Sequence, residues 1–415
     1  MPLRSGRELK KIFNALCPFE SDGRLKPEED RVTLLASNSN IPIEIQMKAF
    51  VQAAAVEPGS PHMVGISQNC SMTTGNHPKN TALLKGVRRS KVTRPVAVGA
   101  ARARRTLEEF TEDFGAELVF AFLDHFTAPP FDADLYSHSQ RDSGMSRAMV
   151  RAQIEEAIEV MRPVYNEEIN IGKEFRERYV NYLCSEVVAE YRKDFLGAVN
   201  LASPAWAMVD TGELPPILNF VLARGLVAAV RDELDNQDTM IEGEFSATGR
   251  SGKRGGYEKL TREALQHYKD RVVLFVKFTG VEGVTHDIGT KHAALQGEKY
   301  EADVERLEIV QRALFQDLGE YIPFAQHGGT GAAKLIRGLV AKNNFNTQYL
   351  ADSARYFIDY YHKHREELIK GVKEVCGRNL YVSMVIPQAR RAVSKLKEAG
   401  SFGLAPKLLK MLRET

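Results

Sequence analysis

Short apolar runs rich in β-branched and aromatic residues alternate along this 415-residue chain with longer segments of helical period. The short runs fall at 32–37, 63–67, 118–125, 206–210, 240–245, 281–288, 321–327 and 340–345. Between them, apolar residues recur three and four apart at 43–55, 214–234, 260–279, 301–318 and 347–372, and 387–413 reads as one or two basic amphipathic helices. Strand-length runs separated by helices predict βα units and a parallel sheet. Eight of them predict an α/β fold, a (β/α)8 TIM barrel forming a single domain.

Two intervals are longer than a bare barrel needs. The first, 68–116, contains 79–105, which is dense in Lys and Arg and holds no acid. Aromatic residues for base stacking are missing from it, so a solvated face or a subunit contact is expected rather than nucleic acid. The second, 126–204, follows the third strand and reads helical over 145–199, with Met149, Ile154, Ile158, Met161, Tyr179, Leu183, Val187 and Tyr191 as its apolar positions. Insertions of this length carry their own structure or a function. A helical insertion at the catalytic rim, serving as a lid or an oligomer contact, is the expectation.

Composition narrows the class. The chain is 43% hydrophobic and 27% charged, enough for a large core, and its net charge of +2 gives no field for nucleic acid or anionic membrane. No run approaches the roughly 18 apolar residues of a membrane span. The first residues lack the apolar core of a secretory signal, and Cys17, Cys70, Cys184 and Cys376 have no disulfide-framework or metal spacing. A cytoplasmic location is expected.

Three histidines end strand-like runs: His125, His292 and His327. If the strands share one barrel, the three imidazoles meet at one rim, and three neutral imidazoles with an open fourth position make a catalytic zinc site. His286, inside the sixth run, is expected to be a hydrogen-bonded core histidine. Asp124 precedes His125; neighbours in a strand face opposite sides, a rule relaxed at a strand end. Asp210 and Glu244 end the fourth and fifth runs, where an acid costs free energy unless paired or metal-bound. For Asp210 the competing role is a cap on the following helix. The turn His327-Gly-Gly-Thr-Gly331 and the polar stretch 343–347 follow strands seven and eight, where barrel enzymes place phosphate.

These residues stand in order with motifs of a known family. Leu35-Ala-Ser-Asn-Ser-Asn40, Val64-Gly-Ile-Ser67, Leu123-Asp-His125, Ala207-Met-Val-Asp-Thr-Gly-Glu213, Ile241-Glu-Gly-Glu244, Thr279-Gly-Val-Glu-Gly283 running on to Ile288-Gly-Thr-Lys-His292, His327-Gly-Gly-Thr-Gly331 and Lys342-Asn-Asn-Phe-Asn-Thr347 together resemble the class II ketose-bisphosphate aldolases. The resemblance implies that His125, His292 and His327 hold Zn2+ or another divalent metal, with Asp210 and Glu244 at a secondary metal position and a monovalent cation as a further expectation. It implies Asp124 as the acid/base at the aldehyde oxygen. Gly328, Gly329, Thr330, Asn344, Asn346 and Thr347 would contact the phosphate and triose part, with Asn38 and Ser67 nearby. The implied activity is cleavage or formation of a carbon–carbon bond in a phosphorylated ketose, through a metal-stabilised enediolate of dihydroxyacetone phosphate. The implied assembly is a homodimer or larger homo-oligomer.

The chain departs from the family pattern. Its loop 246–256 carries three cations and no carboxylate, where the family has an acid that abstracts the α-proton. Asp132, Asp134 and Asp142 in the insertion are the expected substitutes, or the reaction differs. Ala293-Ala294-Leu295 follows His292 in place of a glycine and a phosphate-side lysine, and Asn346 replaces an aspartate. Two alternatives follow: a catalytically silent or regulatory aldolase-like subunit, and an aldolase for a different anionic sugar.

Overall fold

The protein is described by a computed structural model that covers residues 3–39, 67–68, 96–114, 118–138, 146–246, 259–290, 302–327, 334–345 and 347–414. The expected helix 43–55, most of the expected strand 63–67 and the basic stretch up to residue 95 lie outside the described residues.

Seven of the eight expected strand runs contain or overlap a described strand, and the run 63–67 meets one only at its last residue, Ser67. The strands are β1 (Leu34–Ser39), β2 (Ser67–Gln68), β3 (Phe122–Thr127), β4 (Trp206–Asp210), β5 (Met240–Glu244), β6 (Gly283–Thr285), β7 (Ala325–Gln326) and β8 (Lys342–Phe345). The order is β2-β1-β8-β7 in one sheet and β3-β4-β5-β6 in the other, and every pairing is parallel. A parallel bridge between Val284 and Phe324 joins β6 to β7, and β2 lies beside β3. The architecture is an α/β TIM barrel. Several strands are shorter than their apolar runs. Pro323 has no N–H for the ladder, so β7 starts only after it, although its carbonyl still accepts from Val284 N–H at 3.1 Å.

Among the described residues the α-helices in chain order are α1 (Gly6–Ala15), α2 (Val96–Phe114), α3 (Arg147–Tyr165), α4 (Lys173–Leu183), α5 (Glu186–Ala202), α6 (Pro216–Ala228), α7 (Arg262–Thr279), α8 (Val304–Leu318), α9 (Thr347–Ile369), α10 (Leu380–Glu398) and α11 (Ala405–Glu414). Among the described residues no helix is long and apolar enough to cross a membrane.

Two apolar layers follow from this arrangement. Inside the barrel, Ala36, Phe122, Trp206, Met240 and Ala325 form one cluster with Leu9, Ile12 and Phe13 of α1. α1 is started by a reciprocal cap between Ser5 and Glu8. Its Phe13 ring meets the Trp206 ring edge-on at 5.8 Å, so α1 closes one end of the barrel. Outside, the strands' other faces pack against the helices.

Between β3 and β4 run α3, α4 and α5. α3 buries Val150, Ile154, Ile158 and Met161 and lies against α6 and α7, where Tyr165 meets Phe220 at 6.1 Å and the Arg271 guanidinium stacks on Tyr165 at 4.4 Å. Met149 and Val187, expected on the apolar face, are half exposed; Val150 and Val188 take their places. The buried stripe therefore begins one residue later than the pattern suggested. α4 and α5 reach back to the segment after β3: Tyr182 Oη donates to Pro129 O, Tyr191 Oη to Phe126 O, and Asn181 Nδ2 to Tyr136 O.

Trp206 explains a glycine. A Cβ at Gly283 would stand 2.1 Å from the edge of the Trp206 ring, so β6 passes the indole only because this position has no side chain. Gly283→Ala is expected to destabilise the fold by about 1–3 kcal/mol, the range for overpacking a filled core. Urea unfolding of the full chain measures it.

Candidate active site

The site begins with an irregularity in β3. Leu123 pairs with Ala207 but Phe126 pairs with Val209, so β3 advances three residues where β4 advances two. This is a β-bulge. His125 sits in it with φ 53°, a left-handed conformation uncommon outside glycine, and its N–H points to Met208 Sδ at 3.3 Å. A regular strand would send Asp124 and His125 to opposite faces. The bulge instead turns both into the barrel.

His327, the residue after β7, meets His125 there. Its Nδ1 lies 3.1 Å from His125 Nε2, and the rings cross at 66°. The other nitrogen of His327, Nε2, lies 2.7 Å from Glu242 Oε1. Burial pushes His327 below its ordinary value, although the Glu242 carboxylate pulls the other way, so the ring is neutral at pH 7. Burial alone would raise Glu242; the Lys342 ammonium and His327 outweigh it and hold the carboxyl below its usual range. An ionised carboxylate only accepts, so Nε2 carries the proton and Nδ1 presents a lone pair. Asn344 Nδ2, donating to that Nδ1 at 2.8 Å, agrees.

Beneath the histidines lies a fully buried cation. Lys342 projects inward from β8, its Nζ 2.9 and 2.8 Å from the two Asp124 oxygens and 3.3 Å from Glu242 Oε2. Asp124, Glu242 and Lys342 have no side-chain exposure. Nζ also stands 5.3 Å from the Trp206 ring and 5.5 Å from that of Phe122. Burial would raise the Asp124 carboxyl, but Lys342, His327 and His125 hold it below the ordinary range. Trp206 Nε1 donates to Glu242 Oε2 at 2.5 Å, and Asn344 Nδ2 donates to Asp124 Oδ2 at 2.7 Å.

The strand-end acids border this cluster. Asp210 accepts from Thr127 Oγ1 at 2.7 Å and lies 3.8 Å from His125 Nδ1. Against the raising effect of burial, the neighbouring His125, Glu244 and Thr127 side chains hold it far below the usual carboxylate range. It does not cap the following helix, whose N-cap is Pro215. Glu244 is buried and accepts from Gly212 N at 3.3 Å.

The structure thus gathers Asp124, His125, His327, Asp210, Glu244 and Asn344 at one end of the barrel. Asn38 and Ser67 are register partners on β1 and β2, and Thr347 is the first residue of α9. His292, Gly328, Gly329, Thr330, Asn346, Asp142 and the cationic loop from 247 lie outside the described residues. Asp132 accepts from the N–H groups of Asp134 and Leu135, and Asp134 is exposed. His286 is buried between the rings of Tyr268 and Phe324, and its Nε2 has no partner among the described residues. Sequence reasoning gave no role to Glu242 and Lys342. The signals were present: Glu242 stands two residues from Glu244, hence on the same face, and Lys342 stands two from Asn344 in an apolar run.

Among the described residues no group of three or more His, Cys, Asp or Glu side chains is placed to hold a metal ion. The pair that is described nevertheless fits two corners of such a site. Its 3.1 Å nitrogen separation is close to the edge of a zinc–nitrogen tetrahedron, about 3.3 Å. Asn344 Oδ1, buried beside the pair, has no partner among the described residues.

The barrel has been seen before. A fructose-bisphosphate aldolase from Campylobacter jejuni superposes with a TM-score of 0.55 at 16% identity, covering 97% of each chain. The chain shares that aldolase's fold. The YdjI aldolase from Escherichia coli K12 follows at TM-score 0.49 and 12% identity, covering 98% of this chain and all of the other. No protein-family model and no curated protein sequence matches the chain.

His286 gives the site's surroundings a measurable pH signature. Burial pushes it down to about 3 from 6.5. Below pH 6.5 the unfolded chain takes up a proton that the folded one refuses until about pH 3, so folding stability is lost as the pH is lowered through that window. The slope from one such group approaches about 1.4 kcal/mol per pH unit. His286→Leu is expected to make the acid limb shallower by up to one proton, read as the slope of unfolding free energy against pH.

Proposed function

We propose that the chain is a divalent-metal-dependent aldolase, a carbon–carbon lyase that cleaves or forms a bond in a phosphorylated ketose with dihydroxyacetone phosphate as the nucleophilic half. One observation carries the reading: His125 Nε2 and His327 Nδ1 meet at 3.1 Å beside a charged Asp124, at the carboxyl ends of parallel barrel strands. His125 and His327 would hold the metal, with His292 as a third ligand, and Zn2+ suits that donor set. When bound, the ion supplies Lewis acidity at the ketone oxygen.

The chain's own groups supply the rest. Glu242 keeps the proton on His327 Nε2 and so leaves Nδ1 as the donor. Asp124, ionised, enters as a proton acceptor. Cleavage needs one at the hydroxyl that becomes the aldehyde: the O–H proton passes to the carboxylate, the oxygen pair forms the C=O bond, and the carbon–carbon pair stays on the ketone half. In the condensing direction the same carboxyl returns the proton. The glycine-rich and polar stretches that follow β7 and β8 in the sequence would suit the phosphate. Arg250, Lys253 and Arg254, in the loop that lacks a carboxylate, favour a substrate with a further anionic group.

That loop also supports a second reading, a silent aldolase-like subunit, which has no need to retain metal. Aldol cleavage of phosphorylated ketoses, with coupled detection of dihydroxyacetone phosphate and zinc restored, separates the two. The aldolase reading expects turnover, and Asp124→Asn is expected to lower kcat by about 10²–10⁴-fold, the usual worth of a general acid–base group. Zinc retained without cleavage of any phosphorylated ketose would refute it.

A further inference from the structure

We propose that Lys342 is the positioning residue of this site: its buried ammonium clamps Asp124 on one side and Glu242 on the other, and through Glu242 it fixes the His327 ring so that Nδ1 faces His125. The inference rests on reading the two histidines as a metal pair.

The geometry leaves Lys342 few other roles. A lysine without solvent exposure is rare unless its charge is matched, and here both neighbours are carboxylates that belong to the site. The ammonium donates to both oxygens of Asp124, so that carboxylate cannot swing without losing two charge-assisted bonds. Its third contact is Glu242 Oε2, while Glu242 Oε1 holds His327 Nε2. One carboxylate thus links the ammonium to the imidazole. The remaining neighbours are the Trp206 and Phe122 rings, which belong to the cluster around α1 at the other end of the barrel, and the ammonium has no exposed surface of its own. Lys342 therefore acts through Asp124 and Glu242 and not on a reacting atom.

Removing the cation alone would leave two buried carboxylates facing each other, and Lys342→Met could fail simply by not folding. Lys342→Met combined with Asp124→Asn removes one charge of each sign and keeps the buried net charge of the wild type. Asp124→Asn alone is its reference. The deciding measurement is the imidazole tautomer of His327 in metal-free, histidine-selectively 15N-labelled full-length chain. Wild type and D124N are expected to show the proton on Nε2. K342M/D124N is expected to show a mixture of tautomers, with Co2+ affinity 10–100-fold weaker than D124N, the range for losing a ligand-orienting group. A His327 tautomer in K342M/D124N identical to that in D124N would overturn the proposal. Neither readout uses a substrate, so a chain that cleaves no ketose leaves the result standing. A wild type that takes up no Co2+ would refute the metal reading, while the tautomer still decides the role of Lys342.

Discussion

A single ammonium group, Lys342 Nζ, lies between two carboxylates at a depth with no solvent exposure. Ion pairs in such places are costly to assemble, because each charge gives up its hydration, and costlier still to break on one side. That asymmetry organises the barrel interior. Asp124 and Glu242 are charged because Lys342 is there; Glu242 then fixes a histidine, and Asp124 accepts from Asn344. Trp206 shields the ammonium and in turn requires Gly283 to be bare. Much of what looks like a list of site residues is one connected network.

The second constraint is the β3 bulge. Without an extra residue, a strand cannot deliver consecutive Asp and His side chains to the same enclosure. The bulge does so at the expense of a left-handed histidine, and the strain sits at the candidate site. The barrel supplies eight rigid strand ends; the bulge and the ion pair decide which side chains meet there.

Much of the fold was legible because strand-length apolar runs and helical periods are local features. Seven runs hold strands, the run 63–67 is described only at Ser67, and the barrel follows from the alternation of strands with helices. Strand lengths were less legible, since Pro323 interrupts pairing inside an apolar run. In α3 the expected Ile154, Ile158 and Met161 are buried, but Val150 and not Met149 opens the stripe, because both are apolar and only packing against α6 and α7 chooses between them. At the site, His125, His327, Asp124, Asp210 and Glu244 were visible as polar residues at strand ends. Lys342 and Glu242 were not, because a charged residue within an apolar run declares its burial only when its partners, about a hundred or more positions away, are brought to it.

Everything proposed for the site depends on whether the two facing imidazoles are metal ligands. X-ray absorption at the zinc edge of the zinc-loaded full-length chain addresses this directly. A shell of nitrogen ligands at about 2.0–2.1 Å is expected, with imidazole multiple scattering that diminishes in His327→Ala. A spectrum without imidazole scattering, or one unchanged by that substitution, would contradict the metal reading.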